Sequence, residues 1–188
     1  MLAQWLSPAF PVGAFGYSHG LERAVATGAV RDGESLLDWL ETVLRHGAGR
    51  NDALFLAAAY RAADAEAVVA IDQHARAFSS TRERLLESLA QGAAFARAVA
   101  AVWGHALPPL AYPVALGRAA RLEGLPFLPT SALYLQTFAA NLVGAAQRLA
   151  PVGQTEGQAI TRALAPCAPR WPGKRNRATS PRSPPAPF

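Results

Sequence analysis

The residues that most often bind metals or move protons are scattered along this chain. The histidines are His19, His46, His74 and His105, and the single cysteine is Cys167. No two of them have the His-x-His, Cys-x-x-Cys or His-Glu-x-x-His spacing that places two ligands on one metal ion. We therefore expect no metal bound by this chain, and each histidine is interpreted as a surface residue or a hydrogen-bonded core residue.

The sequence offers equally little for nucleotide or nucleophilic chemistry. Glycines recur near the N-terminus, at Gly13, Gly16 and Gly20. A phosphate-binding loop would also need Gly-Lys-Ser/Thr, and the only lysine is Lys174. Ser18 and His19 are adjacent, so on a helix they diverge, and Ser18 is better interpreted as a helix N-cap. The acidic residues occur singly, so the sequence predicts no enzyme activity and no cofactor.

The elements that would position these residues are helices. Apolar residues recur at intervals of three and four, and no stretch alternates with the period of two that strands require. The clearest stripe is Leu85, Leu89, Gly92, Ala96, Val99 and Trp103. About seven or eight such segments predict an all-α, compact bundle over residues 1–165.

Several polar residues stand where helices are expected to begin. Asp32 would cap a helix over 33–46, and Asn51 and Asp64 would cap the next two. Capping boxes are predicted at Ser80-Thr81-Arg82-Glu83 and Thr155-Glu156-Gly157-Gln158, and a long helix is predicted from Thr130 or Ser131.

The charge distribution argues against a nucleic-acid partner. Residues 166–188 hold five of the 18 basic residues and none of the 13 acidic ones, so residues 1–165 carry 13 of each. A phosphate-binding surface needs basic residues clustered on the folded part, and none is visible. The segment 166–188 also holds seven of the 15 prolines, and we expect it to be a disordered basic tail.

A single cysteine excludes an internal disulfide and fits a reducing compartment, so we expect a cytoplasmic protein. Two long uncharged stretches raise the alternative of a membrane span. Prolines interrupt residues 98–117, and Gln136, Asn141 and Gln147 would be costly in lipid within residues 124–147. A buried central helix is the preferred interpretation of the second stretch.

The first loop has no obvious packing role. Two prolines and two glycines prevent regular structure over residues 7–17, yet Phe10, Val12, Phe15 and Tyr17 lie there. These side chains either seal one end of the core or form a pre-ordered apolar surface for a partner protein. Both interpretations remain open at this point.

Three stretches together resemble the UreF family of urease accessory proteins. The first runs from Ser7 to Glu22, Ser-Pro-Ala-Phe-Pro-Val-Gly-Ala-Phe-Gly-Tyr-Ser-His-Gly-Leu-Glu. The second is Arg82-Glu83 followed by Gln91-Gly92. The third runs from Gln136 through Phe138-Ala139-Ala140-Asn141 to the segment Pro151–Gln158. Three ordered motifs over residues 2–165 are more specific than any one of them.

The resemblance implies an all-α, dimeric adaptor that binds the partners UreD (also called UreH) and UreG. That complex would insert nickel into apo-urease in a GTP-dependent step, with nickel and GTP handled by the partner proteins and the UreG GTPase modulated by the adaptor. The partner-binding positions that it implies are Pro11, Val12, Gly13, Phe15, Tyr17, Ser18, His19, Leu21, Glu22, Arg82, Glu83, Gln154, Thr155, Gly157 and Gln158. The alternative is an unrelated all-α interaction protein.

The sequence departs from the family pattern in three places. Gly16 and His19 stand where Ser and Gln are more usual, and Ala159 stands where a basic residue is common. Beyond residue 165 the expected helix and charged-aromatic C-terminus give way to the Pro-rich tail. This last departure leads us to expect a shifted or truncated reading frame.

Overall fold

The structure is a computed structural model that describes residues 1–13 and 19–165. Within these ranges the chain forms nine α-helices and no strand. They are α1 (Leu2–Trp5), α2 (Leu21–Ala26), α3 (Gly33–His46), α4 (Ala48–Arg61), α5 (Ala65–Ala77), α6 (Arg82–Trp103), α7 (Tyr112–Leu122), α8 (Phe127–Leu149) and α9 (Gln154–Leu164). The all-α prediction is confirmed: α1 is a single turn, and the other eight match the expected number. The predicted disorder of residues 166–188 concerns a segment outside the described residues and stays a prediction.

Two predicted N-caps are confirmed by their hydrogen bonds. Asp32 accepts from the backbone N–H of Ser35 at 2.9 Å, and Asp64 accepts from that of Ala67 at 2.8 Å. Each bond satisfies a donor that the first turn of a helix leaves unpaired. The helix α3 therefore has the bounds that its cap and its stripe of leucines predicted.

Other helix starts differ from the prediction by a few residues. Asn51 lies inside α4, whose N-cap is Gly47, and α8 begins before Thr130, after Pro126. The caps of α2 and α9 are glycines, Gly20 and Gly153, rather than Ser18 and Thr155. In each case a glycine or proline that breaks the preceding segment sets the start, and the polar residue chosen from the sequence lies nearby.

The core is built around α7 and α8. Helix α7 is buried along almost its whole length and packs closely on α4. Helix α8 contacts α1, α2, α3, α4, α7 and α9, which makes it the central helix of the bundle. At one end of the core Trp5 packs edge-on against Phe95 and Trp103, with ring centroids 5.3 and 5.4 Å apart. The preferred interpretation of residues 124–147, a buried central helix, agrees with this arrangement.

Helix α6 lies at the edge of the bundle and packs mainly on α7. It is also the described helix that is long and apolar enough to cross a membrane, a test that core helices of soluble proteins also pass. Its inner face approaches the α6–α7 connection closely at Gly92. A Cβ atom there would overlap the carbonyl oxygen of Leu110 and lie 2.9 Å from the nitrogen of Tyr112.

Candidate partner-binding site

The N-terminal end of the first loop is fixed to the bundle by the buried side chain of Phe10. Phe10 is 8% exposed and packs on Phe95 and Trp103, with centroid separations of 5.6 and 6.3 Å. Val12 is partly buried against the core, whereas Pro11 and Gly13 are exposed. The predicted site residues Phe15, Tyr17 and Ser18 lie outside the described residues. The departing end of the loop thus seals the core, as one of the two interpretations expected.

The loop returns through a second anchor, His19. Its backbone has a φ of 51°, in the left-handed region, and Gly20 follows with a φ of 87°, so the chain turns sharply into α2. The His19 side chain is 9% exposed. Its ring lies edge-on to Phe138, 4.8 Å between centroids, and its Nε2 lies 3.5 Å from Oε1 of Glu87. Both ends of the first loop are therefore fixed to the bundle.

His19 meets a buried charged cluster that three helices supply. The Arg84 guanidinium in α6 contacts the carboxylate of Asp52 in α4 and lies 3.0 Å from Oε2 of Glu87, one turn along α6. Tyr134 in α8 donates its hydroxyl to Asp52 at 2.6 Å, and Gln91 donates to Glu87 at 3.0 Å. The two carboxylates are thus satisfied by hydrogen bonds from within the protein, as buried charges require.

Burial and charge act in opposite directions on the ionisable groups of this cluster. Burial raises the pKa of Asp52, and the Arg84 charge offsets only part of that increase. For Glu87 burial also favours the neutral form, but His19 and Arg84 outweigh it and lower its pKa. Burial would lower the pKa of Arg84, yet Asp52 and its other neighbours raise it. Arg84 therefore stays a cation and Glu87 an anion at neutral pH.

Residues from each of the three motifs line one cavity of about 50 Å³. Its walls include Phe10, Val12 and His19 from the first motif, Gln91 from the second, and Phe138 and Asn141 from the third. Trp5 also lines it, with an Nε1–H that is buried and makes no hydrogen bond to any described residue. The polar side chains of Arg84, Glu87 and Gln91 also line this cavity, beside both described ends of the first loop.

The remaining predicted site residues divide by exposure. Exposed are Glu22, Arg82, Glu83, Gln154, Thr155 and Gln158. Leu21 is fully buried, and a Cβ on Gly157 would meet the side chains of Gln147 and Val143, so these two would act through packing. Glu83 precedes Glu87 by one turn, which brings the second motif beside the loop anchor. The segment Gln154–Gln158 instead begins α9, which packs on α3 and α8. A role in partner binding stays a prediction for all of them.

Comparison with known proteins decides the family. The UreF family model matches residues 30–165. The chain belongs to the UreF family. A urease accessory protein UreF from Roseobacter denitrificans is 56% identical over 165 residues, which cover 88% of this chain and 74% of that protein. The UreF proteins of Ruegeria pomeroyi and Dinoroseobacter shibae are 54% and 46% identical to this chain over 165 residues. The matched residues make up 88% of this chain and 76% and 77% of those two proteins, respectively. The resemblance inferred from the three motifs is confirmed.

The buried charged cluster of this UreF chain contains residues that the sequence analysis did not name. Asp52, Glu87 and Tyr134 were missed, although Arg84 lies next to the named Glu83. One signal was available: Glu87 and Gln91 lie beside the apolar stripe of α6, so a buried polar patch was detectable there. The Asp52 and Tyr134 contacts link residues far apart in the chain, and no local pattern reveals them.

The histidines of this UreF chain occupy separate environments. His105 Nε2 lies 2.5 Å from Oε1 of Glu123, and His74 Nδ1 lies 2.9 Å from the carbonyl oxygen of Ala70. His46 lies in the last turn of α3 and lines a second cavity, which Asp52 and Arg84 also line. Among residues 1–13 and 19–165, no group of three or more His, Cys, Asp or Glu side chains could hold a metal ion.

Proposed function

We propose that this chain is the adaptor of a UreD–UreF–UreG complex that matures urease. In this role it binds UreD (UreH) and UreG, forms a homodimer within the complex and reaches apo-urease through it. Nickel insertion and GTP hydrolysis are carried out by the partner proteins, and the adaptor modulates the UreG GTPase. It is not itself an enzyme and binds neither nucleic acid nor a membrane, and it works in the cytoplasm.

The observation that carries this proposal is that residues from each of the three stretches that resemble the UreF family line one cavity. A loop with both ends anchored loses little conformational entropy when a partner binds the residues between the anchors. Relatives that cover most of this chain are named urease accessory proteins, which supports a role in helping another protein. The unrelated-adaptor alternative has no comparable support.

Reconstitution tests the proposal directly. The full chain is co-expressed with the cognate urease subunits, UreD and UreG in a host that lacks its own UreF. We expect active urease and a complex that co-purifies through a tag on UreD. If urease becomes equally active without this chain, the proposal is wrong.

A matched pair of histidine variants tests the loop anchor. His19→Ala removes the contacts with Glu87 and Phe138, whereas His74→Ala removes an exposed imidazole on α5. We expect the first variant to weaken capture of the chain by UreD by about tenfold, about 1.4 kcal/mol, and the second to leave it unchanged. Equal binding by both variants, with both folded by circular dichroism, would show that the anchored loop does not contact the partner.

A second pair examines the third motif in the same assay. Gln158→Ala and Gln73→Ala make the same chemical change at exposed positions of α9 and α5. Only the first lies in a family motif, so we expect only the first to lower complex yield or urease activity. A loss common to both variants would indicate a non-specific effect of the substitution.

A further inference from the structure

The indole N–H of Trp5 is a buried donor without an acceptor. The side chain is fully buried, and its Nε1–H makes no hydrogen bond to any residue in 1–13 or 19–165. The ring is well packed, edge-on to Phe95 and Trp103, and it lines the cavity beside the first loop. A donor that leaves water without gaining an acceptor costs free energy, so buried tryptophans usually find a partner for this group. We therefore look for an acceptor in the cavity.

Asn141, from the third motif, is a second polar side chain on this cavity with no partner. It is half-buried on α8, and its amide offers two N–H donors and a carbonyl acceptor. None of these groups forms a hydrogen bond with the described part of the chain. One turn earlier on α8, Thr137 donates its hydroxyl to the carbonyl oxygen of Leu6 at 3.2 Å. Residues four apart share a helix face, so Asn141 lies on the side of α8 that faces the end of α1.

The size and polarity of the cavity fit water. Each water needs roughly 10–15 Å³ of such space, so a cavity of about 50 Å³ has room for roughly three to five. Gln91 donates its amide to Glu87, but its own carbonyl oxygen accepts no bond from a described residue. The cavity therefore offers both unpaired donors and unpaired acceptors, and water supplies both. The charged groups on its wall, Arg84 and Glu87, already pair at 3.0 Å, so an ion gains little there.

We propose that this cavity is an internal water-binding site, in which ordered water accepts from Trp5 Nε1–H and bonds to the side-chain amides of Asn141 and Gln91. A bridging water is nearly as favourable as a direct hydrogen bond, so the site ties α1, α6 and α8 together. Phe10 and His19, at the two described ends of the first loop, lie on its wall. Asn141 is then a positioning residue that acts through water. The inference does not rest on the proposed function.

Nuclear magnetic resonance on the full 188-residue chain, alone in buffer, tests the site. The indole proton of Trp5 is assigned by its loss in Trp5→Phe. We expect it to show a nuclear Overhauser effect to water with the sign that only long-lived contacts give. Magnetic relaxation dispersion of the solvent then counts the waters that tumble with the protein. Asn141→Leu keeps the size of the side chain but removes its amide, so we expect the count to fall by at least one and the Trp5 signal to water to weaken.

Trp39→Phe is the matched control for Trp5→Phe, because Trp39 is half-buried on α3 and does not line the cavity. It should leave the water count unchanged, whereas Trp5→Phe should lower it. Thr137→Val removes a hydroxyl whose exchanging proton could imitate water, and the Trp5 signal should survive it.

An indole proton without contact to water, a signal lost in Thr137→Val, or a count that neither Trp5→Phe nor Asn141→Leu lowers would each overturn the proposal. If circular dichroism shows Asn141→Leu unfolded, the unsubstituted chain and Trp5→Phe decide. Urease does not enter these measurements, so a chain that holds this water but activates no urease would count against the proposed function alone.

Discussion

Removing the cation from the buried cluster tests whether Arg84 is what makes two buried carboxylates tolerable. The side chains of Arg84, Asp52 and Glu87 are 12%, 11% and 6% exposed. Arg84→Met keeps a long unbranched side chain but leaves both acids without their cation. Breaking a buried ion pair in this way costs about 3–5 kcal/mol of folding free energy. We expect a loss in that range at pH 7, measured by urea unfolding followed by circular dichroism.

The pH dependence of that loss separates electrostatics from packing. In the unsubstituted protein the pKa of Glu87 is lowered, so its contribution to stability is present above the unfolded pKa and is lost as the pH falls through the folded pKa. The pKa of Asp52 is raised by burial, so its ionised form already costs stability at neutral pH. Without Arg84 the pKa of Glu87 rises from its lowered position, and the pKa of Asp52 rises further above its ordinary value. A carboxyl group that takes up a proton no longer carries an uncompensated charge, so we expect Arg84→Met to cost less stability at pH 5 than at pH 7.

A neutralised background provides the control for this experiment. Adding Asp52→Asn and Glu87→Gln to Arg84→Met removes both uncompensated charges and keeps the side-chain shapes. We expect this triple variant to recover about 2 kcal/mol or more of the loss at pH 7. The reasoning is refuted if Arg84→Met costs less than about 1 kcal/mol at pH 7, or costs the same at pH 7 and pH 5.

Four further substitutions, at three positions, test the packing and capping of α6 and α8. Gly92→Ala places a methyl group against the backbone of residues 110–112 and should cost about 1–3 kcal/mol. Gly144→Ala is its counterpart, because a Cβ there meets no atom within 4 Å, and it should stabilise α8 by about 0.5–1 kcal/mol. Thermal unfolding that ranks these two the other way would contradict the close approach at Gly92. Thr81→Ala removes the bond from the Arg84 backbone N–H, 3.1 Å long, and should cost about 1 kcal/mol. Thr81→Ser keeps the hydroxyl and should cost much less in the same measurement.

The helices were predictable because their determinants are local. Asp32 and the spacing of Leu36, Leu40 and Leu44, all buried, define α3 without any tertiary contact. Asn51 shows where local reasoning fails, since a residue suited to an N-cap also fits an exposed or half-buried position inside a helix. Which of these occurs depends on how the preceding turn packs at Gly47, and the sequence alone does not contain that information.

The buried charged cluster could not be predicted from the sequence for a different reason. Asp52 lies 32 residues from Arg84 and 82 from Tyr134, and each of the three belongs to a different helix. Their meeting depends on the order in which α4, α6 and α8 pack. Read singly, each residue looks like an ordinary polar position on an amphipathic helix. By contrast, the three motifs identified the correct family, because members of one family share the packing that brings such residues together.

The two interpretations of the first loop prove to be compatible. Phe10 closes the core and His19 rests on Glu87 and Phe138, so the described ends of the loop have a structural role. Closing the core did not require charge, because apolar residues of similar volume often replace a buried ion pair without loss of stability. What an apolar replacement of Glu87 would lose is the polar contact for the returning end of the loop. In Glu87→Leu the Arg84 guanidinium keeps Asp52 as its counterion, so we expect this variant to lose less stability than Arg84→Met. His19 loses its contact with Glu87, so we expect the affinity for a partner to fall.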